Sequence, residues 1–373
     1  MNARLGDFPE PLPHTRPIGI RGCCAPHANA PKEPSLTTAT HQPHIAGCTP
    51  RPTTSDAPAT PTSARPDEVL RAFLACYWLR PENALWMTLR SMVLSHARLE
   101  PPAADLSCGD GVFTFLHCGG RFDDSFDVFR TVRRVDGTGS ARTDMFDYHD
   151  ADYMPPIARR PHTIVDVGTD LKPALLAKAD ALGFYRRLVQ HDNNHPLPFE
   201  DDAFATVYCN SAYWVRRIDV FLRELVRVTR RDGAAVLHVK LAAMSGYTLA
   251  GFRDMLGDTF LDIIGRGRFD CWPTVATRNE WEQRFARAGF EIVDARPFVT
   301  RTHAHIWDIG LRPIAPLLVR MANEIDDASR LSIKRDWIAL LEDLLRPLCR
   351  PDFDLFAQAA EPAEIQYVLR PRA

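Results

Sequence analysis

Three short segments of this 373-residue chain set carboxylates and glycines where a small ligand can be gripped. The first is Asp105-Leu106-Ser107-Cys108-Gly109-Asp110-Gly111, in which a short apolar run ends on an acid and a tight glycine turn leads into a helix near Val112. Glycine there permits positive φ and lets backbone approach a ligand closely. The spacing is not G-x-G-x-x-G, which weakens a dinucleotide reading. The second, Gly168-Thr169-Asp170, ends an apolar run on a carboxylate able to accept both hydroxyls of a ribose. The third is His191-Asp192-Asn193-Asn194, followed by Leu197-Pro198-Phe199 and by the run Val207-Tyr208-Cys209-Asn210. Each acid also has a plainer role open to it, capping a helix or a turn. Cys108 reads as a small residue in a tight turn.

Strands must carry these segments to a common edge. Apolar runs mark strands at Ala104 to Ser107, Thr163 to Thr169, Arg187 to Gln190, Ala205 to Asn210, Ala234 to Leu241, Glu291 to Val299 and Glu364 to Arg370. Helices fall between them. Lys172 to Leu182 closes on Gly183, Ile218 to Thr229 carries Val220, Leu222, Leu225 and Val226, and Thr277 with Glu280 spells a capping box. Alternating strands and helices predict an α/β, doubly wound, mostly parallel sheet with its ligand at the carboxyl ends of the strands. Two apolar helices precede it, one from Asp67 and one from Glu82 to Arg98, separated at Pro81.

Composition bounds the alternatives. The chain is 45% hydrophobic and 25% charged, as soluble globular proteins are. Apolar runs such as Ala72 to Leu79 fall far short of the ~20 residues a membrane-spanning helix needs. A net charge of −2 gives no global field toward nucleic acid or anionic membrane. Nine scattered cysteines argue against a disulfide scaffold and for a reducing, cytoplasmic setting. Residues 1–66 hold 13 of the 30 prolines and show no periodicity, so a disordered tail is expected. Within it, Cys24 and His27, then His41, His44 and Cys48, have zinc-like spacing, but no element fixes their geometry, and no metal is expected. The expected organisation is the tail, a helical cap over 67–100, and an α/β domain over 101–373.

Taken in order, the segments resemble the class I S-adenosylmethionine-dependent methyltransferases, in particular the small-molecule group with D-x-G-C-G-x-G, G-x-D, D-x-x-x-L-P-F and F-D-x-V motifs. The resemblance covers about Leu99 to Lys240. It implies a Rossmann-like seven-stranded sheet with an antiparallel last strand and S-adenosylmethionine as cofactor. It also implies roles. Asp105 with Ser107, Gly109 and Gly111 would hold the methionine end; Asp170 would take the ribose, with Leu171 beside the adenine. Asp192 would accept from the adenine amino group next to Asn193, and Asn210 would lie near the sulfonium. No metal is called for.

Ser107 stands where the family has its first glycine, and Ala205 where it has aspartate after Phe204. The 58 residues between Gly111 and Asp170 exceed the usual crossover, so roughly Gly119 to Arg160 is an insertion, either a lid or a solvated excursion. Further helical insertions are expected over 244–272 and 307–348. Tyr213, after the fourth strand, and His303, after the sixth, are the candidate catalytic groups, with packing roles as the alternative. The implied activity is methyl transfer to a small-molecule acceptor; the other reading is an inactive scaffold of the same fold. Nucleic acid as acceptor is not expected, because Asn210-Ser211-Ala212-Tyr213 is no Asn-Pro-Pro-Tyr segment and no basic tract accompanies it.

Overall fold

The computed structural model describes residues 66–130, 132, 148–150, 152–265, 272–311, 314–350, 353 and 360–372. The expected tail, its zinc-like spacings and parts of all three expected insertions lie outside the described residues.

Two helices open the fold. α1 (Pro66–Tyr77) buries Leu70, Phe73, Leu74 and Tyr77, an i, i+3, i+4, i+7 stripe. α2 (Pro81–Leu94) starts on a proline, which costs a first helical residue nothing because its N–H has no partner there anyway. β1 (Ala103–Leu106) and α3 (Val112–His117) follow. A short antiparallel ribbon of β2 (Arg121–Phe122) and β3 (Ile157–Arg159) opens and closes the first insertion, an element too short for the sequence pattern to reveal. Next come β4 (Val165–Asp170), α4 (Pro173–Ala181), β5 (Tyr185–Gln190), β6 (Phe204–Cys209), α5 (Ile218–Val228) and β7 (Thr229–Lys240). Three short helices, α6 (Ala243–Tyr247), α7 (Arg253–Leu256) and α8 (Asp258–Gly265), lead to α9 (Arg278–Ala288), whose Thr277–Glu280 capping box forms as read from sequence. β8 (Phe290–Val299), α10 (Arg301–Ile309), α11 (Ala315–Asn323), α12 (Asp327–Leu345) and β9 (Glu364–Pro371) complete the chain order.

The seven long strands form one sheet in the order β5-β4-β1-β6-β7-β9-β8. The five on the β5 side pair in parallel, and β9 inserts antiparallel between β7 and β8. This is the doubly wound α/β arrangement expected from the alternation of strands and helices. β7 begins at Thr229, five residues earlier than the apolar pattern suggests, because α5 runs straight into it and Thr229 pairs with Phe204. One face is covered by α5 and α9, through Phe221, Leu225, Trp281 and Phe285. The other is covered by α1, α2 and α3, through Phe73, Leu85, Phe113 and Phe115. None of the helices among the described residues is long and apolar enough to cross a membrane.

The stretch after β2 in the first insertion is packed, whereas residues such as Tyr148 and Met154 near its far end are exposed. Phe122 stacks on Phe126 at 4.0 Å, and Phe126, Val128 and Phe129 are buried. Asp127 Oδ2 accepts from Trp78 Nε1 at 2.9 Å and from Arg330 Nε and Nη2 at 2.9 and 2.6 Å. Lys334 Nζ donates to the Asp124 and Phe126 carbonyls, at 2.9 and 2.5 Å. The segment after β2 is thus clamped between α1 and α12. Replacing Asp127 by Ala leaves a buried guanidinium without its carboxylate, and such losses cost about 3–5 kcal/mol. Asp127→Ala is therefore expected to lower unfolding stability by about that amount, read from urea midpoints at neutral pH.

Candidate functional site

β1 is buried at all four residues and flanked by β4 and β6, so polar chemistry can begin only where it ends. There the chain turns through three consecutive alternate residues at positive φ: Ser107 at 60°, Gly109 at 61° and Gly111 at 75°. Two are glycine, which takes this conformation freely. Ser107 is not, and its strained turn is tied down by Asn193, whose Nδ2 donates to Ser107 Oγ at 2.9 Å. The Cys108 N–H donates to the Thr169 carbonyl at 2.7 Å, and burial pushes its thiol well up, which removes it as a nucleophile.

Asp170 holds the turns together. Its Oδ2 accepts from the Gly109 amide at 3.1 Å and its Oδ1 from the Lys172 amide at 2.9 Å. A Cβ placed on Gly109 would meet no heavy atom within 4 Å, so the backbone here borders open space; one on Gly111 would press into Tyr185 at 2.9 Å. Asp105 points inward instead. It is 2% exposed, and its Oδ2 accepts from Thr114 Oγ1 at 2.6 Å and Tyr185 OH at 2.8 Å. Burial raises its pKa to about 6 against the lowering effect of those two bonds.

On the far side of Asp170, Leu171 is 56% exposed, an apolar face beside a carboxylate. Asp192 keeps a pKa below the usual aspartate range: burial works against ionisation, but the Asn194 amide N–H and side chain donate to it at 2.9 and 2.8 Å and prevail. Two neighbouring atoms, His191 Nε2 and Asn193 Oδ1, are buried without a hydrogen-bond partner among the described residues. Orphaned buried polar atoms of this kind are uncommon and suit a bound molecule.

A second constellation sits at the carboxyl ends of β6 and β7, of which only Tyr213 was singled out from sequence. Lys240 closes β7, Glu364 opens the neighbouring antiparallel β9, and the two are cross-strand partners joined by an ion pair. Arg90 of α2 donates to both Glu364 oxygens, at 3.2 and 3.3 Å through Nη2, and to Tyr213 OH at 3.3 Å. The two cations hold Glu364 below the ordinary glutamate range although its burial opposes ionisation. The Lys240 ammonium stands within 4.6 Å of the Trp86 and Tyr213 ring centroids, 5.1 Å of Trp272 and 5.7 Å of Trp307. A lone charged residue ending an apolar strand was the available signal; its partners come from 150 residues upstream and 124 downstream.

Of the residues singled out from sequence, Asp105, Ser107, Gly109, Gly111, Asp170, Leu171, Asp192 and Asn193 line one end of the sheet. Asn210 follows the last residue of β6 at that same end. Tyr213 belongs to the second constellation as a buried wall. His303 does not fit a catalytic base. It is the third residue of the α10 capping box, with Nδ1 held at Thr300 and Nε2 2.8 Å from the Leu348 carbonyl, so both ring nitrogens are engaged in packing α10. Among the described residues, no group of three or more His, Cys, Asp or Glu is disposed to hold a metal ion.

Sheet order, glycine turn and strand-end carboxylates define a Rossmann-like nucleotide-type fold. Residues 153–237 match the family profile described as methyltransferase domain, a span that includes Asp170, Asp192, Asn193 and Asn210 and begins after the β1 turn. Over those residues the chain is similar to the methyltransferase-domain family. Similar solved structures include an S-adenosylmethionine-dependent methyltransferase from Mesorhizobium loti, 15% identical over 76% of this chain and 96% of that one, at a TM-score of 0.39. The [4+2]-cyclase SpnF is 16% identical over 77% of this chain and 82% of its own, also at 0.39. A comparison with curated proteins found no match.

The raised pKa of Asp105 has a stability consequence. An unfolded aspartate titrates near 3.9, whereas the folded one holds its proton until about 6. Between those values the native state binds more protons, so this group's contribution falls as pH rises from about 4 to 6. Both of its bonds land on one oxygen, which an amide carbonyl can replace. Asp105→Asn is expected to remove this slope, gaining roughly 2–3 kcal/mol relative to the parent between pH 4 and 7, measured by urea unfolding at both pH values.

Proposed function

We propose that this protein is an active methyltransferase that transfers the methyl group of S-adenosylmethionine to a small-molecule acceptor. The observation that carries the reading is the open space over the Gly109 backbone, framed by the Asp170 carboxylate, exposed Leu171 and the orphaned Asn193 Oδ1. These groups fit the cofactor. The Asp170 carboxylate is the acceptor for the ribose hydroxyls, Leu171 offers an apolar face to the adenine, and Asp192 with Asn193 meets the adenine edge. Ser107, Gly109 and Gly111 shape the backbone against the methionine end. Asp105 works through the turn, holding Thr114 and Tyr185 beneath it. Asn210 stands at the end of β6, between this region and the second constellation.

When bound, the cofactor supplies an electrophilic methyl group on a sulfonium cation. The chain's part is to balance that positive charge with carboxylates, exclude water and align the acceptor, since in-line displacement gains mainly from positioning. Tyr213 is a wall of the acceptor side, held by Arg90, and not itself a free base. A base is required only for acceptors that must lose a proton. The five described cysteines are all free thiols, which suits a reducing cytoplasmic setting.

Calorimetry of S-adenosylmethionine with the full chain is expected to give micromolar binding. Asp170→Ala should weaken it at least tenfold. Because that variant also frees two backbone amides, Leu171→Asp serves as a control that touches an exposed side chain alone and should weaken binding several-fold. Absence of binding in folded parent protein would sink the reading; binding without turnover on any acceptor would favour the scaffold alternative.

A further inference from the structure

At the acceptor side of the sheet two cations share one carboxylate. Arg90, Lys240 and Glu364 are 6%, 2% and 0% exposed, and Glu364 is the one carboxylate bonded to either cation among the described residues. His238 faces the same cluster across Glu364 and Arg90, but burial drives its pKa down to about 3, so it is neutral. Asp308 lies on the helix that carries Trp307, and its Oδ2 accepts from the Leu249 amide at 2.5 Å; its pairing is separate from the Arg90–Lys240–Glu364 ion pairs. Within the directly ion-paired group, two buried cations thus face a single carboxylate, out of reach of water. Buried charges left uncompensated are costly, and the usual remedy is a partner of opposite sign.

Four aromatic rings surround the excess charge, and they are not equivalent. Trp86 and Tyr213 are fully inside, whereas Trp272 and Trp307 are half-buried and stand 6.0 Å apart with an interplanar angle of 30°. The half-buried pair is the outer wall. A flat apolar body meets such a wall by offset stacking, while its charged end points at Arg90 and Lys240. A cationic acceptor fares worse: the aromatic faces already hold the Lys240 ammonium, and a second cation would bring like charge to a cluster already in excess.

Resting on the methyl-transfer reading, we propose that the acceptor is an aromatic carboxylate, anchored by Arg90 and Lys240 against the Trp272–Trp307 wall. Neutral and cationic analogues of the same shape bind less well, because they leave the cluster one negative charge short.

Tryptophan fluorescence of the full chain, titrated with benzoate, benzamide and benzylamine, tests this. Benzoate is expected to give a saturable change with an affinity at least tenfold higher than benzamide, and benzylamine none. Lys240→Met should abolish the preference for benzoate. Glu364→Gln, which removes the compensating carboxylate, should tighten benzoate several-fold, a gain that a misfolded variant cannot mimic. Equal affinities for benzoate and benzamide, or tighter binding of benzylamine, overturn the proposal. S-adenosylhomocysteine, titrated separately by calorimetry, reports on the cofactor reading alone: if it binds and the benzoate preference is absent, the anionic acceptor fails while the methyltransferase reading stands.

Discussion

The carboxylate of Asp170 accepts one backbone amide from the turn after β1 and another from its own turn after β4. Much else depends on that double attachment. β1 is enclosed by strands on both edges and by helices on both faces, so its buried residues can carry no function of their own. Everything reactive in the first half of the chain is displaced to the strand ends, where turns would otherwise be free to wander. Asp170 fixes two of those turns relative to each other, and Asn193 then fixes the strained Ser107 from a third. One acid and one amide thereby convert three separate loops into a single rim. The ordinary glycine at the Ser107 position would need no such tether, so the Asn193 bond offsets the local strain of the substitution.

Two of the buried ion-pair clusters follow a common plan. Asp127 with Arg330 and Glu364 with Arg90 and Lys240 each join a helix to a segment far away in sequence. Apolar contacts alone would glue those helices down without fixing how far they slide. A carboxylate that accepts from Trp78 and from two nitrogens of one guanidinium allows a single placement of α12 against α1. The two clusters differ in balance. Asp127 meets one guanidinium, whereas Glu364 is outnumbered, and that asymmetry sets the second cluster apart from a purely structural joint.

Local signals in the sequence were readable wherever local chemistry decides the outcome. The seven strands, the Thr277–Glu280 capping box and the Gly183 position just past α4 all follow from neighbours within a few residues. The rim was legible for the same reason: glycines and acids at strand ends announce turns whatever the rest of the fold does. His303 shows the limit. A histidine after the sixth strand looks available for chemistry until Thr300 and Leu348 are seen to occupy its ring, and Leu348 is 45 residues away. The β2–β3 ribbon escaped because two- and three-residue strands have no period to detect. Arg90, Lys240 and Glu364 escaped because nothing in any one of their neighbourhoods points at the others.

The distances along the chain also set an order of assembly. The rim draws on residues 105 to 193, and its strands are flanked early by sequence-near helices. The aromatic and charged constellation needs α2 from the start of the domain and β9 from beyond residue 360, and β9 must slot between β7 and β8. During synthesis, roughly 120 further residues leave the ribosome after β7 before Glu364 can reach Arg90. Through that interval β7 exposes an unpaired edge ending in Lys240, and the two cations wait without their carboxylate. The nascent protein is therefore most vulnerable to unwanted strand pairing late in its synthesis, and the edge closes only when β9 arrives.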